Sequence, residues 1–256
     1  MTLRGIPAPK LIQADKQEYM RYLFDRAINS GARLRSVVDT TPAWKNLLAR
    51  YNTPITLYTP DGDVVAHSIE RKYHNFSHVE EGVMALAEIE PDCECASLNS
   101  VLLAWFYHDA FYDITSGPSK IINNEQASAE LAMQDLINMG WPAEYAGRVY
   151  DLVMHTKHNE NPPETDYEAN LIVDIDLLPV SIRPIEAFFA STRKVRQEYS
   201  VFSDEVWGDN RIKFWKGFLD RKKDRIFRTR HFEHLNAVTS DNIQKEMFSL
   251  AREKVV

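Results

Sequence analysis

The chain has 256 residues, 44% of them hydrophobic, and a formal net charge of −7. That length and apolar content suffice for one full core, so we expect a single domain over residues 1–256. The acidic balance argues against a general nucleic-acid binder, which carries a basic excess, but leaves room for a small basic pocket that holds a phosphate.

Met1 to Lys10 contain no hydrophobic signal-peptide core. Helices are expected at about 14–30 and 36–50. Ile55–Tyr58 and Val64–His67 flank Asp61-Gly62, a hairpin turn dipeptide. Residues 52–70 therefore read as a loop or small hairpin inserted ahead of a histidine-rich motif. Val79, Val83 and Leu86 form a helix face just after His78. Cys93 and Cys95, the only cysteines, have no matching second half, so they read as reduced thiols in a loop rather than a zinc knuckle. Ser97 to Tyr112 is apolar nearly all round and reads as the central buried helix. Its longest apolar run, Val101–Tyr107, is too short to cross a membrane.

Further along, Ala129, Ala132, Met133, Leu136 and Ile137 fall at helical spacing on one face. Gly140 supplies a stop, and Trp141-Pro142 restarts the chain into a helix over about 143–156. Pro162-Pro163 marks the loop that ends the helix carrying His155 and His158. Helices are then expected at about 168–178, 183–199, 204–222 and 231–252. Residues 203–230 mix Lys and Arg with Trp and Phe and read as a solvated amphipathic helix pair. The sum is an all-α protein, expected to be cytoplasmic, with no membrane partner and no extended nucleic-acid surface. No sequence feature speaks to its oligomeric state.

Chemistry concentrates in Tyr73-His74-Asn75-Phe76-Ser77-His78, His108-Asp109 and Asp176. These imidazoles and carboxylates sit on helices that are otherwise apolar, and such groups are costly to bury unless paired, hydrogen-bonded or bound to a metal. The set suits a divalent transition ion (Mn, Fe, Zn, Ni or Co), with Mg as a further option, as one ion or two. His74 and His78 are four apart and share a face if the segment is helical. Either both bind one ion, or one binds it and the other faces the substrate. Asp174 is the rival of Asp176, and the loser would be a hydrogen-bonding or helix-terminal carboxylate. Such a site keeps open positions, where a water acquires a lowered pKa and becomes a nucleophile near neutral pH.

His78, His108-Asp109 and Asp176-Leu177 resemble the H…HD…D signature of the HD-domain superfamily of metal-dependent phosphohydrolases. Tyr73-His74-Asn75-x-x-His78 is similar to the corresponding motif of the cyclic-nucleotide phosphodiesterases in that superfamily. A closer resemblance is to the bacterial group of predicted HD phosphohydrolases. It is carried by Arg71-x-Tyr73-His74, Trp105-Phe106-Tyr107-His108-Asp109-x-x-Tyr112-Asp113 and Asn124-Glu125-x-x-Ser128-Ala129. Thr156-Lys157-His158, Asp174-x-Asp176-Leu177 and Arg196-x-Glu198-Tyr199 continue it, over roughly residues 70–230.

The resemblance implies an HD-type helical bundle with core motifs at about 70–180, flanked by N-terminal helices within 14–50 and C-terminal helices within 183–252. It implies metal ligation by His78, His108, Asp109 and Asp176. Asp176 is favoured over Asp174 because the family's ligand Asp precedes apolar residues, as Leu177 and Leu178 are here. His74 becomes the general acid, with Glu125 as the candidate carboxylate that orients it. Lys157 and His158 become candidates for holding a phosphate, and His155 and His158 lie where some members place ligands for a second ion. Asp113 is a candidate for positioning water. Arg196 and Tyr199 would reach the substrate, the alternative for Arg196 being a salt bridge to Glu198 or Asp220. The implied activity is hydrolysis of a phosphate ester or anhydride, of the nucleotide class, on a small phosphorylated substrate. The alternatives are an HD-fold di-iron oxygenase and a non-catalytic nucleotide-sensing module.

Overall fold

The computed structural model describes residues 16–31, 37–59, 61–89, 98–115 and 123–253. Cys93 and Cys95 lie outside them. The described residues form ten α-helices and one small three-stranded sheet, an all-α protein. In chain order these are α1 (Lys16–Gly31), α2 (Thr41–Tyr51), β1 (Ile55–Tyr58), β2 (Val64–Ile69), α3 (Phe76–Ile89), α4 (Asn99–Tyr107) and β3 (Ile114–Thr115). They continue as α5 (Asn124–Asn138), α6 (Ala143–His155), α7 (Tyr167–Leu177), α8 (Ile185–Glu198), α9 (Asp204–Lys222) and α10 (Asn236–Glu253). No helix among the described residues is long and apolar enough to cross a membrane.

The central helix is α4. Every residue from Val101 to Tyr107 is buried, and α1, α3, α5, α6 and α7 all pack around it. A helix apolar on all sides has no solvent face, so it must lie inside the bundle. It is shorter than expected, stopping at Tyr107 rather than reaching Tyr112. The adjacent His108 and Asp109 therefore sit in the turn where the helix ends. Neither has to break an apolar face.

Other boundaries follow local chemistry. α2 starts at Thr41, later than its apolar spacing suggests, because Pro42 fits its first turn and Asp39 accepts a hydrogen bond from the Thr41 amide. α5 ends in a Schellman motif: Gly140 takes φ 87°, its amide reaches Ile137 O, and the Trp141 amide reaches Leu136 O. The Asn123 side chain accepts from the Gln126 amide and starts α5, Asp166 does the same for α7 through Ala169, and Ser203 for α9 through Val206. The basic segment 203–230 is one 19-residue helix followed by irregular chain, not a helix pair.

The hairpin over 52–70 forms as expected, with β1 antiparallel to β2 and Gly62 at φ 94° in the turn. The third strand was not expected: β3 joins β1 in parallel, pairing Leu57 with Ile114. A two-residue strand has no readable period, so nothing in the sequence marks it. Ile55, Leu57 and Ile114 make a small apolar cluster against Tyr112, Tyr199 and Phe202, which puts the sheet under one wall of the site described below.

One close approach couples α3 to α4. A side chain on Gly82 would collide with the Trp105 indole. That indole donates to Val79 O at 2.8 Å and stacks on the His108 ring at 4.0 Å. Gly82→Ala should therefore lower stability by about 1–3 kcal/mol, the usual penalty of overpacking. Gly147, within α6, has nothing within 4 Å of the corresponding position. Gly147→Ala should instead raise stability by up to about 1 kcal/mol through helix propensity. Urea denaturation of both variants checks the opposite signs.

Candidate metal centre

Three segments supply the donors. The Asn75 side chain accepts from the Ser77 amide and its carbonyl from the His78 amide, which turns the chain into α3 and places His78 in the first turn. His108 and Asp109 follow α4 directly. Asp176 lies in the last turn of α7. Arg71 ties the first two segments together: its guanidinium donates to His74 O, Asp109 O and Ala110 O.

His78 Nε2 lies 3.4 Å from Asp176 Oδ1, and His108 Nε2 lies 3.9 Å from the same oxygen. One donor atom from each of His78, His108 and Asp176 falls within 4.8 Å of the other two. Asp109 Oδ2 approaches His108 Nε2 at 3.0 Å. Both imidazoles are buried, at 4% and 1% exposure.

The tautomer of His108 follows from its surroundings. Its Nδ1 donates to Trp105 O at 2.7 Å, so in the neutral ring Nε2 carries the free lone pair. That Nε2 is buried and makes no aligned hydrogen bond, despite the nearby carboxylates. A buried donor atom held without a partner, beside two carboxylates and a second imidazole, fits a cation ligand. Burial pushes the His108 pKa down, but Asp109 and Asp176 outweigh it and hold the pKa up at about 9. Burial opposes ionisation of Asp176 as well, but His158 and His78 hold its carboxyl well below the usual range. For Asp109, His108 overcomes burial in the same direction. Without an ion, protonated imidazole balances these carboxylates, and an ion would take over that charge.

His74 is not helical. It lies in the bend before α3, so the i, i+4 argument does not apply to it. Its ring is nevertheless 6.3 Å from His78, and it stacks on Tyr112 at 3.8 Å. The carboxylate that holds it is Glu198, from the end of α8, not Glu125, which opens α5. His74 Nδ1 donates to Glu198 Oε2 at 2.6 Å, and the amides of Tyr73 and His74 donate to Oε1 at 2.7 and 2.9 Å. Glu198 is fully buried. Burial would raise its pKa, but His74 and the two amides lower it, so it stays ionised. One signal could have found it. On α8 the spacing Phe188, Thr192, Val195, Glu198 carries the inward stripe to a carboxylate, which burial would not tolerate without partners.

The remaining candidates separate. His158 lies beyond the end of α6 with φ 55°, a backbone conformation uncommon outside glycine, and donates from Nε2 to Asp176 Oδ2 at 2.8 Å. It positions the carboxylate rather than facing outward for substrate. Lys157 Nζ lies 3.2 Å from the Asn123 side-chain amide. Asp113 accepts from the Thr56 amide at 2.8 Å, which secures the turn after α4 to β1 and accounts for it structurally. Arg196 pairs with Asp204 and with the carbonyls of Tyr199 and Phe202, not with Glu198 or Asp220. Tyr199 meets the Tyr112 hydroxyl at 3.1 Å.

Asp174 and Asp176 face different partners. Asp174 is fully buried and accepts from the amides of Arg228 and Thr229 and from the Thr229 hydroxyl. Burial raises its pKa to about 6 against those hydrogen bonds. It holds the irregular chain after α9 onto α7. The chain matches no protein-family model, no curated protein and no solved structure.

This division yields a test. Asp176→Asn should lower divalent-ion affinity by at least ~10-fold, as loss of a charged ligand or its support does. Asp174→Asn should keep the affinity and lower stability by about 1–3 kcal/mol, because an amide group cannot accept all three donors. Titration calorimetry with Mn and urea melts of both variants read the two effects separately.

Proposed function

We propose that this chain is a metal-dependent phosphohydrolase of the HD-domain type, acting on a phosphate ester or anhydride of the nucleotide class. The observation that supports this most is the convergence of His78, His108 and Asp176, within 4.8 Å of one another, beside an imidazole held by a buried carboxylate. His78, His108, Asp109 and Asp176 would hold a divalent transition ion, with Mg as a further option. When bound, such an ion acidifies water and screens charge on phosphoryl oxygens.

The chain's own chemical contribution is a proton. Glu198 occupies Nδ1 of His74, so Nε2 is the edge left to carry a proton toward the substrate. As water adds to phosphorus and the bond to the leaving oxygen breaks, that proton goes from Nε2 to the leaving oxygen. Glu198 orients the ring through Nδ1, and the Tyr112 ring stacked on His74 restricts its rotation. His158 keeps the second oxygen of Asp176 occupied, so Oδ1 is the oxygen turned to His78 and His108. The oxidative reading asks for imidazoles from both His155 and His158. The cluster of potential ligands among the described residues is His78, His108 and Asp176 and does not include His155, which favours hydrolysis over di-iron chemistry. A sensing module has no need of a carboxylate-held imidazole next to an ion site.

General acid catalysis matters only for a poor leaving group. His74→Ala should keep its Mn and lose about 10²–10³-fold in kcat on an alkyl phosphate, within the usual range for such catalysis. On 4-nitrophenyl phosphate, whose phenolate leaves without a proton, the loss should be at most ~10-fold. Glu198→Gln should follow the same pattern more weakly. Equal losses on both esters, or lost Mn in His74→Ala, would make His74 a ligand and remove the acid from the scheme.

A further inference from the structure

Among the described residues, the two cations beside the site, Arg71 and Lys157, are both turned to other partners. Arg71 is turned to three backbone carbonyls, and Lys157 lies against Asn123. A line of rings leads out of the site to another cation. His74 stacks on Tyr112, the Tyr112 hydroxyl meets that of Tyr199, and Tyr199 lies 5.1 Å from Trp207 in the first turns of α9. The Arg211 guanidinium sits 5.6 Å from the Trp207 ring and 4.4 Å from that of Trp215.

Arg211 is held in place. Its Nε donates to Glu246 Oε1 at 3.1 Å, and Trp215 donates to the other oxygen of Glu246 at 2.7 Å. Among the described residues its two terminal nitrogens make no hydrogen bond, and its side chain keeps 17% exposure. Arg196, 5.7 Å from the Trp207 ring, has its nitrogens engaged by Asp204 and by backbone carbonyls.

We infer that Arg211, braced by Glu246 and flanked by Trp207, binds a second anionic group of the substrate, a phosphate-class oxyanion remote from the bond that is cut. This rests on the hydrolase reading and narrows its substrate to a phosphate ester that carries another anion. The placement decides between the scissile group and a remote one. Tyr112, Tyr199 and Trp207 link His74 to Arg211 ring by ring, so Arg211 is placed at the far end of a ligand whose reacting phosphoryl is at the ion rather than at the scissile group. A guanidinium with two terminal nitrogens free to donate suits an oxyanion, and its bracing means little ordering remains for binding.

Calorimetry on the Mn-loaded full chain tests this with two probes that differ by one phosphate, adenosine 3′,5′-bisphosphate and adenosine 5′-monophosphate. Wild type should bind the bisphosphate at least ~10-fold more tightly, as one charge-assisted contact allows. Arg211→Gln should bring the two Kd values within about threefold of each other at unchanged Mn content, and Arg211→Lys, which keeps the charge but not the fork, should fall between. Should Arg211→Gln unfold through loss of the Glu246 contact, the reduced preference of Arg211→Lys carries the test. A wild type without preference, or a preference kept in the folded variants, overturns the inference. The hydrolase reading is checked apart from this, by turnover of 4-nitrophenyl phosphate with Mn. Turnover without the binding preference sinks the Arg211 site alone, and absence of turnover with any divalent ion sinks the reading on which it rests.

Discussion

The Asp176 carboxylate is the charge around which the interior has to be arranged. It approaches His78 and His108 through one oxygen and His158 through the other, so α3, the turn after α4, the segment after α6 and α7 all meet at one group. An ionised carboxylate only 16% exposed and flanked by three imidazoles depends on its partners staying in place. Each partner is fixed by something else. His108 is anchored through Nδ1 to Trp105 O and by stacking on the Trp105 indole, and that indole fits only because residue 82 has no side chain. The packing of α3 on α4 and the geometry of the donors are thus one constraint rather than two.

The helices were legible because their apolar spacing is regular, and α7, α8 and α9 fall within two residues of the expected limits. What periodicity cannot show is where a helix stops when its neighbours are apolar too. The stretch 97–112 reads as one continuous run, yet α4 ends at Tyr107, and that end is what frees His108 and Asp109 to turn toward Asp176. The same limitation hides the bend before α3. Spacing alone makes His74 and His78 neighbours on a helix face, whereas His74 reaches its position through Glu198, 124 residues away.

Glu198 and Asp174 show the difference between a residue's type and its partner. Both are buried carboxylates, but only Asp174 sits on an element that reads as apolar; Glu198 ends a helix whose second half is charged. Their roles depend on which donors the fold delivers: Thr229 and Arg228 to Asp174, His74 and two amides to Glu198. Those pairings span 54 to 125 residues, and local pattern carries no information at that range. The Asp174 oxygens already accept from the chain after α9, whereas Asp176 is the carboxylate that falls beside His78 and His108.

The donors for an ion come from residues 78 to 176, whereas the group that holds His74 and the wall leading away from it come from residues 198 to 215. The first packs around α4 in the main apolar core. The second joins that core through Trp215 and the small cluster beside the sheet through Tyr199 and Phe202, and adds polar ties, Glu198 on the His74 bend and Glu246 on Arg211 and Trp215. His74 belongs to both parts: its backbone is tied to the HD turn through Arg71 and its ring to α8 through Glu198. A shift of α8 relative to the core would therefore act on the His74 ring before it acted on His78, His108 and Asp176.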